Sequence, residues 1–138
     1  RRSSDLLTRF TSWHPRMTGV DRARDALQLI RVGADSVKET HLRLALVEAG
    51  LPEPELQVKL DPEDPHSPVA DQGYRRPRIA IDYDGATHLT SEQQSRDIRR
   101  SRAFTLAGWR HVTANCDDAA EGFRTVVGVV RRLLAGFA

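Results

Sequence analysis

The sequence predicts an α/β fold, a mixed sheet of about four strands flanked by helices, with a helical N-terminal lead-in. Three observations carry this expectation. Between Leu56 and Asp84 short runs alternate apolar and polar residues, as half-buried strands do. Before and after them, apolar residues recur at helical spacing. A long helical run also separates the third extended segment from the fourth, and such a crossover makes that pair of strands parallel.

In chain order, Ser3 to Ile30 carry weak helical patterning, with Leu6, Leu7 and Phe10 in one piece and Ala23, Ala26, Leu27 and Ile30 in another, divided around Pro15 and Gly19. Ser36-Val37-Lys38-Glu39 has the form of a capping box, so a helix is expected from Val37 to Ala49, stopped by Gly50 and Pro52. Leu56, Val58 and Leu60 mark a first strand, and the three prolines between Asp61 and Pro68 a loop. Val69 to Gly73 and Ile79 to Asp84 form the next two strands, joined by a turn at Arg75-Arg76-Pro77. Thr90 or Ser91 caps a helix that carries Ile98, Ala103, Phe104 and Leu106 toward the core and ends at Gly108. Trp109 to Thr113 reads as a strand. Asp118-Ala119-Ala120-Glu121 is the expected cap of a final helix bearing Phe123, Val126, Val127, Val130, Leu133, Leu134 and Phe137. The expected division is a lead-in over 1–35, read as the end of a longer upstream region because the chain begins at Arg1, and a domain over 36–138.

A chain of 138 residues, 39% hydrophobic, supports one core rather than two large ones. Its net charge is only +2, so overall charge permits a nucleic-acid partner without requiring one. Locally the bias is stronger: Arg96, Arg99, Arg100 and Arg102 are interrupted by one acid, Asp97. A single cysteine, Cys116, excludes a disulfide framework and a cysteine-rich zinc site, and the cytoplasm is the expected compartment. No membrane-spanning run is present in the sequence. Aromatic residues at 6% are too few for a carbohydrate platform as well as a core.

The chemistry concentrates in Ile79-Ala80-Ile81-Asp82-Tyr83-Asp84-Gly85-Ala86-Thr87-His88. Strand alternation puts Ala80, Asp82 and Asp84 on one face, opposite Ile79, Ile81 and Tyr83. A hairpin brings Asp71 alongside. Converging carboxylates repel unless a hard divalent cation neutralises them, and His88 beside them titrates near neutrality. Glu39 serves either the capping box or the stripe with Leu42 and Leu46 that faces the sheet. Arg96, Arg99 and Arg100 lie at helical neighbour spacing, as a phosphate-contacting stripe or as a solvated face paired with Asp97 or Glu92. Asp84-Gly85 also reads as plain turn chemistry. His14, His41, His66 and His111 have no neighbouring ligand pattern and are assigned no chemistry, and Trp109 is read as core.

Asp71 followed by Asp82-x-Asp84-Gly85-x-x-His88, with Glu39 on the first helix, Asp97 and Arg100 on the following one and Gly108-Trp109-Arg110 opening the last strand, resembles the PD-(D/E)XK nuclease superfamily. Within it, the similarity is to the branch of very-short-patch-repair-like endonucleases and related bacterial domains, over about Ser36 to Leu134. The resemblance implies a restriction-endonuclease-like fold, magnesium (or manganese) held by Asp71, Asp82 and Asp84 with support from Glu39, a histidine at His88 that assists hydrolysis, and DNA as partner. Three positions depart from that pattern. Asp82 stands where the branch usually has glutamate, which shortens the arm by roughly 1.5 Å. Asp84 occupies the superfamily's lysine position, and an arginine often found in the last strand is replaced near Thr113.

The expected function is therefore metal-dependent endonucleolytic hydrolysis of DNA, with Arg96, Arg99 and Arg100 on the backbone, and homodimer formation left open. The competing expectation is a nuclease-fold module that binds DNA or a partner protein without cutting.

Overall fold

The computed structural model describes residues 19–85 and 90–137. The expected lead-in before Gly19 and the candidate base His88 lie outside the described residues. The elements are α1 (Gly19–Glu48), β1 (Glu55–Lys59), β2 (Val69–Tyr74), β3 (Ile79–Tyr83), α2 (Ser91–Leu106), β4 (Arg110–Ala114), α3 (Cys116–Ala120) and α4 (Arg124–Phe137). Their sheet has the order β1-β2-β3-β4, antiparallel across the first two pairs and parallel between β3 and β4. This is the α/β architecture with a four-stranded mixed sheet that the patterning predicts, with α2 as the crossover.

Helix α1 differs from the expected Val37–Ala49. It runs unbroken from Gly19, so Ser36 is an interior residue whose carbonyl accepts from Thr40 Oγ1 at 3.1 Å. A capping box needs a non-helical first residue, and no proline interrupts residues 19–48 to provide one. The helix end is as expected. Gly50, at φ 85°, donates to Val47 O and Leu51 donates to Leu46 O, the paired bonds of a Schellman motif. The same pair closes α2, from Gly108 to Thr105 O and from Trp109 to Phe104 O, while Thr90 caps its start by accepting from Gln93 N. Trp109 is thereby delivered onto Phe104, edge to face with centroids 5.2 Å apart.

The sheet is packed on both sides. On one face Leu42 and Leu46 of α1 meet Tyr74, Ile79, Ile81, Tyr83 and Ala114, joined by Phe123, Val126, Val127 and Val130. Val58, Ala70, Ala80, Phe104 and Trp109 form a second cluster beneath α2. All five residues of β3 are buried, as a central strand covered on both faces should be. Of the residues expected to face the core from α2, Phe104 does, but Ile98 and Leu106 are exposed, because α2 lies over the sheet with one narrow stripe. Phe137 is likewise exposed at the end of α4.

The final helix does not start at Asp118. Asn115 instead forms the box, accepting from Asp117 N and Asp118 N while Asp118 returns a carboxylate to Asn115 N. That builds the short α3, and α4 begins at Arg124 after Phe123 at φ 61°. No helix among the described residues is long and apolar enough to cross a membrane.

Candidate functional site

Strands β2 and β3 put their acids side by side. With Gln72 paired to Ile81, Asp71 lies opposite Asp82, and each side chain reaches across the gap to a backbone amide of the other strand. Asp71 N donates to Asp82 Oδ1 at 2.8 Å, and Tyr83 N donates to Asp71 Oδ2 at 2.9 Å. Carboxylates thus replace ladder bonds at this end of the hairpin. On the other flank of β2 the pairing runs from Leu56–Gln72 to Val58–Ala70, with Gln57 between them at φ 51°.

Beyond Asp82 stands a residue to which sequence reasoning gave no role. His111 Nε2 lies 2.6 Å from Asp82 Oδ2, and its Nδ1 lies 2.9 Å from Ser101 Oγ. Asp82 can only accept, so Nε2 carries the hydrogen of that bond. A usable signal was present: Val112 and Ala114 are apolar, so alternation on β4 puts His111 and Thr113 on the opposite face, and parallel pairing with β3 makes that the face of Ala80 and Asp82. The missing element was the register, which local patterning does not carry.

Arg100 also turns inward. Its Nε lies 3.7 Å from Asp82 Oδ2 and its Nη2 3.6 Å from Asp97 Oδ1, distances of charge attraction rather than hydrogen bonding. Arg96 and Arg99 are exposed and line a separate hollow of about 380 Å³ with Ser91, Glu92 and Ser95. The expected arginine stripe therefore divides, one member serving the acids and two facing solvent.

The electrostatics of the two aspartates diverge. Burial, then the charges of Asp82 and Glu39, push Asp71 up to about 7, against the Tyr83 amide and Arg100. Burial acts the same way on Asp82, but His111, Arg100 and the Asp71 amide outweigh it and hold that carboxyl below its ordinary value. At neutral pH the pair shares its charge unequally, with Asp82 ionised and Asp71 close to half-titration.

Two cavities flank the pair. One, about 610 Å³, is lined by Glu39, Asp71 and Gln72 together with Ser36, Arg43 and Gln57. The other, about 320 Å³, is lined by Asp82, Asp84, Asp97, Arg100, Ser101 and His111. Asp84 has left the strand, its backbone N donating to Ala114 O at 2.7 Å, and it shares a cavity with Asp82 rather than with Asp71. Glu39 sits beside Asp71, and its carbonyl accepts from Gln72 Nε2 at 3.2 Å. Gln72 Oε1 is buried and has no hydrogen-bond partner among the described residues.

Asp71 thus has Glu39 on one side and Asp82 on the other, Asp82 shares a different cavity with Asp84, and His88 falls outside the described residues. No group of three histidine, cysteine or acidic side chains among the described residues is arranged to share a metal ion. Asp82, with Oδ1 and Oδ2 both engaged, does not fit as a joint ligand with Asp71. The two carboxylates on the larger cavity, Glu39 and Asp71, are hard oxygen donors of the kind a divalent cation takes. Comparison of the chain with models of protein families, with curated proteins and with solved structures found no match.

Proposed function

We infer that the domain is a restriction-endonuclease-like, divalent-metal-dependent endonuclease that hydrolyses phosphodiester bonds in DNA. The observation that supports this reading is Asp71 placed between Glu39 of a helix and Asp82 of the paired strand, with an open cavity on each side. Burial beside two other acids disfavours the charged form of Asp71, and a bound cation would favour it. Strand order and the α2 crossover agree with the architecture that the resemblance implies.

Glu39 and Asp71 would hold the ion, since magnesium is commonly kept by one or two carboxylates with water completing its shell. When bound it supplies Lewis-acid polarisation of a phosphate oxygen and a more acidic water. The chain's own residues do the rest. Asp82 fixes the Asp71 backbone through its Oδ1, and His111 and Arg100 keep Asp82 ionised and oriented. Arg96 and Arg99, exposed on α2, meet the DNA backbone as charges.

Incubation of supercoiled and linear DNA with the protein and magnesium or manganese tests this. Cleavage that requires the ion and disappears in Asp71→Asn supports it, and metal-independent cleavage or full activity in that variant refutes it. A second reading, a module that binds DNA or a partner without cutting, draws on one observation: Asp82 is 2% exposed and both its oxygens already have protein partners. Binding of labelled DNA with no turnover in either metal would favour it.

A further inference from the structure

We propose that Ser101, His111 and Asp82 form a nucleophilic relay for acyl transfer, a second activity whose substrate is a small uncharged or cationic carboxylic ester held in the cavity of about 320 Å³. It goes beyond the metal-dependent reading and uses neither Glu39 nor Asp71, the carboxylates assigned to the ion.

The direction of the hydrogen bonds carries the proposal. The Asp82 carboxylate only accepts, so it fixes the ring hydrogen on His111 Nε2, 2.6 Å away. In a neutral imidazole Nδ1 is then an acceptor, and the group 2.9 Å from it is the Ser101 hydroxyl, which must donate. A serine or threonine inside a helix commonly turns its hydroxyl back to the carbonyl one turn earlier, as Thr40 does toward Ser36 on α1. The Ser101 hydroxyl instead leaves α2 for a base on β4. Phe104 holds that base in place, its ring stacked on His111 at 12° with centroids 6.2 Å apart.

Ser101 is half-buried and lines the same cavity as His111, together with Gln94 and Arg100, which bring N–H donors to a developing oxyanion. Asp82, Asp84 and Asp97 outnumber Arg100 there, a balance that repels a phosphate and accepts a neutral or cationic substrate. In the reaction, Ser101 Oγ bonds to the acyl carbon while its proton passes to His111 Nδ1, and Nε2–H stays on Asp82, the positioning residue. Collapse of the adduct breaks the bond to the alkoxide, which takes that proton and leaves as the alcohol. Water repeats the exchange on the acyl-serine, releasing the acid and restoring the hydroxyl.

The test uses the whole chain in EDTA: labelling by a fluorophosphonate probe, mapped by mass spectrometry, and hydrolysis of p-nitrophenyl acetate, with a thermal melt of each variant. The expected result is wild-type labelling at Ser101, and ester turnover lower by about a hundredfold or more in Ser101→Ala and His111→Gln. In Asp82→Asn the Asp71 amide still claims the side-chain oxygen, which turns the new amide nitrogen toward Nε2. That forces the ring hydrogen onto Nδ1, so kcat should fall by about a thousandfold with KM and the melt little changed. If Asp82→Asn does not fold, the Ser101 and His111 variants decide. A wild type unlabelled at Ser101, or turnover that is unchanged in Ser101→Ala or that needs magnesium, would overturn the relay and leave the three residues as a strut between α2 and β4. Metal-dependent cleavage of DNA is read in a separate assay, so either reading can fail without the other.

Discussion

Replacing Asp71 with asparagine should make the protein more stable at pH 8, and by a smaller margin at pH 5. In the folded chain Asp71 is pushed from 3.8 up to about 7, by burial first and then by Asp82 and Glu39. The folded state therefore holds a proton that the unfolded chain has released. Between these two values stability falls as pH rises, and above about 7 the full penalty applies. Three units at 1.36 kcal/mol each give an upper bound of about 4 kcal/mol, shared with Asp82 because the two carboxyls interact. Asparagine cannot ionise, yet its side-chain oxygen can still accept from Tyr83 N. Urea unfolding of both proteins from pH 5 to pH 8.5, without divalent ions, reads the difference directly. Asp71→Asn should gain on the wild type up to about pH 7 and hold a lead of about 2 to 4 kcal/mol from there to the alkaline end. Parallel curves would refute the argument that Asp71 is held against its charge.

Other expectations follow from neighbouring contacts. His111→Ala removes a 2.6 Å partner from the almost fully buried Asp82, and should lower unfolding free energy by about 1 to 3 kcal/mol in denaturant titrations. Gly73→Ala would place a Cβ 2.2 Å from the Ile79 carbonyl oxygen, so β2 and β3 must separate. A lower melting temperature by several degrees, or failure to fold, is the expected outcome, and an unchanged melt would contradict the described register. If Arg96 and Arg99 carry phosphate contacts, their joint replacement by alanine should reduce the slope of log affinity for DNA against log salt by about two. Fluorescence anisotropy across a salt series measures it.

Much of this architecture was readable from local pattern. The alternation of Ile79-Ala80-Ile81-Asp82-Tyr83 gave a strand with Asp82 on the face opposite Ile79, Ile81 and Tyr83, and the structure places those three in the cluster of Leu42 and Leu46 and Ala80 in the other. Gly50 and Gly108 ended helices because only a residue tolerant of positive φ closes the paired carbonyl bonds there. The hairpin that sets Asp71 against Asp82 followed from the Arg75-Arg76-Pro77 break. Where pattern failed, the decision was taken at longer range. The Ser36 box lost to an upstream helix that left no non-helical residue to act as cap. Asp118 proved to be the third residue of a box opened by Asn115 rather than a cap in its own right.

The sequence by itself determined which segments extend and which coil, and which acids lie near each other along one hairpin, because those outcomes depend on periodicity and turn chemistry within a few residues. Tertiary structure alone decided that His111, 29 positions from Asp82, completes that carboxylate's bonding. It also drew Arg100 from its helical stripe toward Asp82 and set the Gln72 amide against the Glu39 carbonyl. Those contacts depend on the register between β3 and β4 and on how α1 and α2 lie against the sheet. A fraction of an ångström there decides whether a buried oxygen has a partner, and no local pattern of apolar and polar residues encodes that distance.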